Sequence, residues 1–149
     1  MSYQTIKSRK IRIAVVGVGR ISKNHLAAID HHCKDLELVA ICDIDQASLS
    51  EQTKSLSVAG YTSMSEMFKE QEIDVVVLST PSGLHPQQAV LAAEQQVHVV
   101  TEKPMATRWH DGVNMVRACD EASVRLFVVK QNRRNSTLQL LKRAIDEKR

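Results

Sequence analysis

Aromatic side chains make up only 3% of the 149 residues, so any core this chain builds must be aliphatic. Glycine and proline are also scarce, at 5 and 3, which excludes collagen-like repeats and low-complexity chains. The three cysteines, Cys33, Cys42 and Cys119, are odd in number and show no CxxC spacing. No disulfide framework or zinc ribbon is encoded, and two of the three stand in apolar or helical runs that read as buried thiols. Charge of one sign is missing as well: 20 basic against 17 acidic side chains leave +3, too little for a nucleic-acid footprint. No run approaches the roughly 20 apolar residues of a membrane span. The polar lead 1–10 and the apolar run 11–18, broken by Arg12 and followed by Arg20, do not resemble a signal peptide. What is left is an ordinary soluble chain of one compact domain, expected in the cytoplasm and with neither nucleic acid nor membrane as partner.

What is there is alternation. Short β-branched runs change places with helical periodicity along the whole chain, the mark of βαβ units around a parallel sheet. Strands are predicted at 11–17 (IRIAVVG), 36–43 (LELVAICD), 58–61, 73–80 (IDVVVLST), 97–102 (VHVVTE) and 125–130 (RLFVVK). The fourth is a near-continuous apolar run, as befits a central strand buried on both faces. Helices are predicted at 20–31, at 46–57 capped by Asp45, at 63–70 opened by the capping box Ser63-Met-Ser-Glu66, and at 84–96 with Pro86 in the first turn. Two more follow, one from a Thr107 cap to about Ala122 and an amphipathic one over 138–149 that lacks a capping glycine. The fold class is therefore α/β, a doubly wound parallel sheet. The right-handed crossover rule favours the Rossmann order 3-2-1-4-5-6, with ligands at the switch point beyond the carboxyl ends of strands one and four.

Chemistry collects at that edge. Gly17-Val18-Gly19-Arg20-Ile21-Ser22 occupies the turn where a G-x-G-x-x-G loop belongs, with Ser22 as a small substitute for the third glycine. Gly17 suits the tight turn, and Gly19 lets the backbone approach a pyrophosphate resting on the helix N-terminus. Asp43 ends the second strand where an acid accepts from the adenosine ribose hydroxyls, or, on the plainer reading, caps a turn. Asp45 adds a second charge, and Ile44 and Gln46 offer nothing to neutralise a 2′-phosphate, so NAD is preferred over NADP. His31, His32, His98 and His110 have no partners at metal-ligand spacing, and no metal is expected. His25 falls on the first helix and reads as a packed, hydrogen-bonded structural residue.

The combination of G-x-G at the first turn, an acid after the second strand, Thr80-Pro81-x-x-x-His85 after the fourth and Glu102-Lys103-Pro104 after the fifth resembles the Gfo/Idh/MocA oxidoreductases. Within them, the stretch from Lys130 through Gln131, Arg133 and Arg134 into the last helix is similar to the WbpB/WlbA-type UDP-N-acetylglucosaminuronate 3-dehydrogenases of lipopolysaccharide biosynthesis. The resemblance implies an NAD-binding Rossmann domain followed by an α/β substrate domain. It makes Lys103 the active-site lysine near the reacting carbinol. It places Glu102 at the nicotinamide ribose, and Ser79, Thr80, Pro81, His85 and Gln131 along the cofactor, with His85 equally able to serve as a polar helix start. Arg133 and Arg134 are candidates to grip a substrate carboxylate or diphosphate, or else form an exposed basic cluster.

Members of that family normally place a further catalytic histidine in a second domain, which these 149 residues are not expected to hold. The expectation is therefore a cofactor domain over 1–135 and a terminal helix over 136–149 leading toward an absent substrate domain. Such a chain would bind NAD yet be nearly inactive alone, while the full-length protein would be a homo-oligomer acting on a nucleotide sugar. The alternatives are a dehydrogenase of another sugar or cyclitol, a non-enzymatic dinucleotide-binding module, and a methyltransferase, whose folds share the glycine turn and the acid.

Overall fold

The computed structural model describes residues 6–148. The first five residues of the polar lead and Arg149, the end of the expected terminal helix, lie outside the described residues. In chain order the elements are β1 (Ile11–Val16), α1 (Ser22–His31), β2 (Leu36–Cys42), α2 (Gln46–Leu56), β3 (Ala59–Tyr61) and α3 (Met64–Glu70). The second half holds β4 (Val75–Leu78), α4 (His85–Glu94), β5 (His98–Thr101), α5 (Trp109–Glu121), β6 (Leu126–Val128), a 3₁₀ turn (Gln131–Arg134) and α6 (Ser136–Asp146). All strand pairs are parallel and form one sheet in the order β3-β2-β1-β4-β5-β6. This is the arrangement expected from the alternation and the crossover rule.

Successive strand residues point to opposite faces, and the core divides accordingly. Ala14, Val16, Ala40, Cys42, Val76 and Leu78 face α3, α4 and α5, where Met67, Ala89, Ala92, Met115 and Cys119 are buried with them. Ile13, Val15, Ile41 and Val77 face the other way, onto Ile29 of α1 and Leu49 of α2. Among the described residues, no Phe, Tyr or Trp is fully buried. The small alanines let α4 lie close to the sheet, and the flexible methionines fill what β-branched residues leave.

Every strand but β3 is shorter than predicted at its carboxyl end. Gly17, Asp43, Ser79, Thr80 and Glu102 step out of the ladder there, and these are the residues the sequence offered as chemistry. Caps explain the shifts at the helices. Asp45 accepts from the N–H groups of Ala47 (3.0 Å) and Ser48 (3.3 Å), and Ser63 accepts from that of Glu66 at 3.5 Å. Thr107 does not cap α5. The helix opens at Trp109 from Arg108, whose backbone is extended and whose side chain makes no cap bond, because a cap must directly precede the first helical residue to reach its orphan donors. α6 starts at Ser136 instead of 138, since Asn135 accepts from Thr137 and Leu138 N–H at 3.0 and 3.3 Å.

Candidate functional site

The turn after β1 is built by contacts the fold requires. Gly17 has φ +86°, and a Cβ there would lie 2.9 Å from the Ser79 and Thr80 backbone, so only glycine lets β1 and the β4 exit run this close. Gly19 is different: a Cβ on it would meet nothing within 4 Å. The missing side chain leaves open backbone in front of α1. That helix has no side-chain cap and no acid in its first turn, so its first N–H groups are left to an anion. Ser22 is buried and donates to the Gly19 carbonyl at 2.6 Å, holding the loop where the third glycine of the pattern would stand. Val18 turns its side chain into the core and contributes only backbone.

That backbone is tied to the acid. Asp43 Oδ2 accepts the Val18 N–H at 2.7 Å, while Oδ1 accepts that of Asp45 at 2.9 Å. One oxygen thus makes the turn, as on the plainer reading, and the other locks the glycine loop. An ionised carboxylate offers about four lone-pair positions, so capacity for ribose hydroxyls remains. Beside it, Cys42 is a poor nucleophile, since burial and the charges of Asp43 and Glu66 push its thiol up to about 11.

Gly17, Gly19, Asp43, Ile44, Ser79, Thr80 and Pro81 line one cleft of about 430 Å³ between β1, β2 and β4. Sequence reasoning missed other walls of it: Cys42, Thr62, Met64, Leu84 and Gln88. Thr62 and Met64 follow β3 and were findable as the next strand exit along the sheet. Gln88 reaches the cleft from α4, where it accepts the Thr80 hydroxyl at 2.5 Å. Ile44 is 90% exposed at the rim. The Ser79 hydroxyl oxygen is buried and has no hydrogen-bond partner. Open backbone at Gly19, an uncapped helix start and a carboxylate with spare capacity fit the pyrophosphate and ribose of a dinucleotide.

Other expected residues lie around the cleft, not in it. Arg20 and Ile21 are exposed at the start of α1. Glu102, on leaving β5, accepts from His25 Nε2 at 2.9 Å and from the Lys103 N–H at 3.3 Å, and His25 is thereby the hydrogen-bonded helix residue anticipated. Lys103 is exposed at the β5 exit, and its bond to Pro104 is cis. His85 is 1% exposed, enclosed behind the cleft instead of lining it. Gln131, Arg133 and Arg134 form the exposed 3₁₀ turn after β6, at the same sheet edge but outside the cleft's lining. Among the described residues no group of three His, Cys, Asp or Glu is placed to hold a metal ion, and no helix is long and apolar enough to cross a membrane.

Comparison with known proteins bears on this geometry. Residues 11–130 match the oxidoreductase family with an NAD-binding Rossmann fold. The chain is 30% identical to D-apiose dehydrogenase of Paraburkholderia graminis, over 97% of this chain and 39% of that protein. Myo-inositol 2-dehydrogenase of Thermotoga maritima is 29% identical over 91% of this chain and 41% of that one. Among solved structures, the WlbA dehydrogenase from Bordetella pertussis, in complex with NADH and UDP-GlcNAcA, superposes with a TM-score of 0.91 at 56% identity, over 93% of this chain and 42% of that one. The WlbA dehydrogenase from Chromobacterium violaceum, with the same two ligands, gives 0.95 at 52% identity, covering 100% of this chain and 43% of that one. The chain thus spans about two fifths of the length of the relatives it matches.

Proposed function

Because the chain belongs to the Gfo/Idh/MocA oxidoreductase family, with an NAD-binding Rossmann fold over residues 11–130, we propose that it is the cofactor domain of an NAD-dependent dehydrogenase acting on a nucleotide-sugar acid. The observation that carries this reading is the Asp43 carboxylate accepting the Val18 N–H at 2.7 Å, which joins the ribose acid and the phosphate loop in one cleft. The substrate class, UDP-N-acetylglucosaminuronate oxidised at its 3-hydroxyl, is supported by identity of more than half to structures holding that ligand. A place in lipopolysaccharide synthesis, a cytoplasmic location and a homo-oligomeric full-length protein go with that substrate.

NAD, when bound, supplies the hydride acceptor. The residues of this chain bind and orient. The open N–H groups at Gly19 and α1 receive the diphosphate, and Asp43 receives the adenosine ribose. Asp43 with Asp45 repels a 2′-phosphate, giving NAD over NADP. Glu102, held by His25, faces the nicotinamide ribose. Lys103 moves the proton of the carbinol oxygen, its cationic form stabilising a developing alkoxide. Arg133 and Arg134 offer bidentate donors to the substrate's acidic groups. Residues 136–149 would lead into a substrate domain, a role supported by the apolar Leu140, Leu141 and Ile145 that α6 exposes. Without such a domain the carbinol carbon is not held in near-attack geometry, which can supply up to about 7–11 kcal/mol of barrier reduction.

Titrating NAD, NADP and S-adenosylmethionine into the purified chain tests the reading. NAD should bind and the other two bind weakly or not at all, whereas no NAD binding at millimolar concentration would overturn it. In a protein that carries both domains, Lys103→Ala should lower kcat by about a hundredfold to ten-thousandfold, the range of a positioned acid–base group.

A further inference from the structure

Outside the cleft, α5 turns outward a face that its own chain leaves uncovered. Met115 and Cys119 are buried on its inner side. Trp109, Val113 and Val116, spaced i, i+4, i+7, stand exposed on the other, with Trp109 at 87%. Two grooves flank them and share no lining residue with the cleft. One of about 740 Å³ runs along α5 against the 105–108 loop. The other, of about 450 Å³, lies between α5 and the edge strand β6, where Phe127 is exposed.

The charges of α5 point to what covers this face. Arg108 stands at its N-terminus, and Asp120 and Glu121 stand in its last turn, which holds no basic residue. Each sign is at the wrong end for the helix dipole, which favours acids at the start and bases at the end. All three side chains are exposed, and none forms an ion pair among the described residues. Gly112, midway along the helix, lowers helix stability relative to alanine. A Cβ there would reach only ordinary contact with Ala106 at 3.5 Å, so the chain's own packing does not demand glycine. An antiparallel helix that satisfies both ends at once must carry a base at its start and acids at its end, about 20 Å apart. α5 is itself such a helix.

We propose that α5 is a self-complementary contact surface on which a second copy of this chain seats its own α5, antiparallel about a two-fold axis. Val113 then lies against Val116 of the partner subunit, and Arg108 reaches Asp120 and Glu121 of the partner subunit. Trp109 enters the groove between α5 and β6 of the other copy, and Gly112 lets the two backbones approach. This goes beyond the homo-oligomer proposed above by naming the surface, and it does not rest on the dehydrogenase reading.

A single helix pair buries less than the roughly 1,200–2,000 Å² of a standard interface, so the contact should be weak, with a Kd on the order of 100 μM. Sedimentation of the purified chain from about 1 μM to about 1 mM should show a monomer–dimer equilibrium, with Trp109 emission moving to shorter wavelength as the dimer fills. Arg108→Glu in one variant, and Asp120→Lys with Glu121→Lys in a second, should each weaken association about tenfold by turning attraction at both ends into repulsion. Parent-like melting of both variants, whose changes are all at exposed positions, reports that they are folded. Mixed in equal amounts, the two should associate as tightly as the parent, because each end again meets opposite charge. A chain that stays monomeric to about 1 mM, reversals without effect, or a mixture no tighter than its components would overturn the proposal. NAD titration is read separately: a chain that dimerises through α5 but binds no NAD fails the dehydrogenase reading alone.

Discussion

Gly17 and Gly19 stand two positions apart and answer to different constraints, which substitution should separate. Gly17→Ala places a Cβ on a positive φ and 2.9 Å from backbone, and should cost more than about 1 kcal/mol of stability. Gly19→Ala meets nothing in the chain and should leave stability within about 0.5 kcal/mol of the parent. Its NAD affinity should nevertheless fall by about tenfold, because the new methyl stands where the diphosphate approaches. Thermal melts paired with NAD titrations check both, and equal behaviour of the two variants would remove the distinction. Asp43→Ala should weaken NAD by about tenfold or more, through ribose bonds and through release of the Val18 N–H, while narrowing the gap to NADP. Cysteine chemistry separates as cleanly. In the native protein a thiol reagent should modify exposed Cys33 and spare Cys42 and Cys119, both buried and both with thiols pushed up, by burial first and neighbouring acids second.

Elements were the most legible scale. Six strands, their order and the switch point follow from alternation, because the apolar runs that must be buried on both faces can be so only inside a covered parallel sheet. The ends of elements were less legible, since they are decided by single caps: Asn135 starts α6 two residues before its apolar face begins, and Thr107 stands one position too early to serve α5. Asn135→Ala should cost α6 about 1 kcal/mol of local stability, visible as faster exchange at the Thr137 and Leu138 amides with the sheet unaffected. The candidate site was legible where chemistry follows a strand directly, as at Gly17, Gly19, Asp43 and Thr80. Gln88 enters the cleft from a helix whose approach depends on tertiary packing, and His85 leaves it for the same reason: the motif marks the residue, but only the close approach of the Thr80 and Pro104 carbonyls shows that its ring is enclosed.

For the molecule as a whole, the end of the sheet opposite the cleft is held by charge. Arg9 donates to Asp74 Oδ1 and Oδ2, the Arg12 N–H donates to Oδ2 at 2.7 Å, and Arg12 also pairs with Glu72. Burial alone would raise the Asp74 carboxyl, but these donors outweigh it and hold it well below its usual value of 3.8. The stability it contributes is fully present above that value and is lost as pH falls through the depressed folded one. His98, on the neighbouring strand, is lowered by burial first and Arg125 second, with Nδ1 accepting the Arg125 N–H at 3.0 Å. Its unfolded form protonates near 6.5 before the folded form does, so stability already declines just below that pH. Denaturation profiles should show both declines, with Asp74→Asn removing the more acidic one and deepening the other, because the Asp74 charge partly offsets the lowering of His98. How such profiles are recorded matters, because the one tryptophan, Trp109, is 87% exposed on the outer face of α5. In the monomer its emission should be that of an indole in water, so unfolding should pass almost unseen by intrinsic fluorescence, and bound NADH should be followed against a nearly constant optical background.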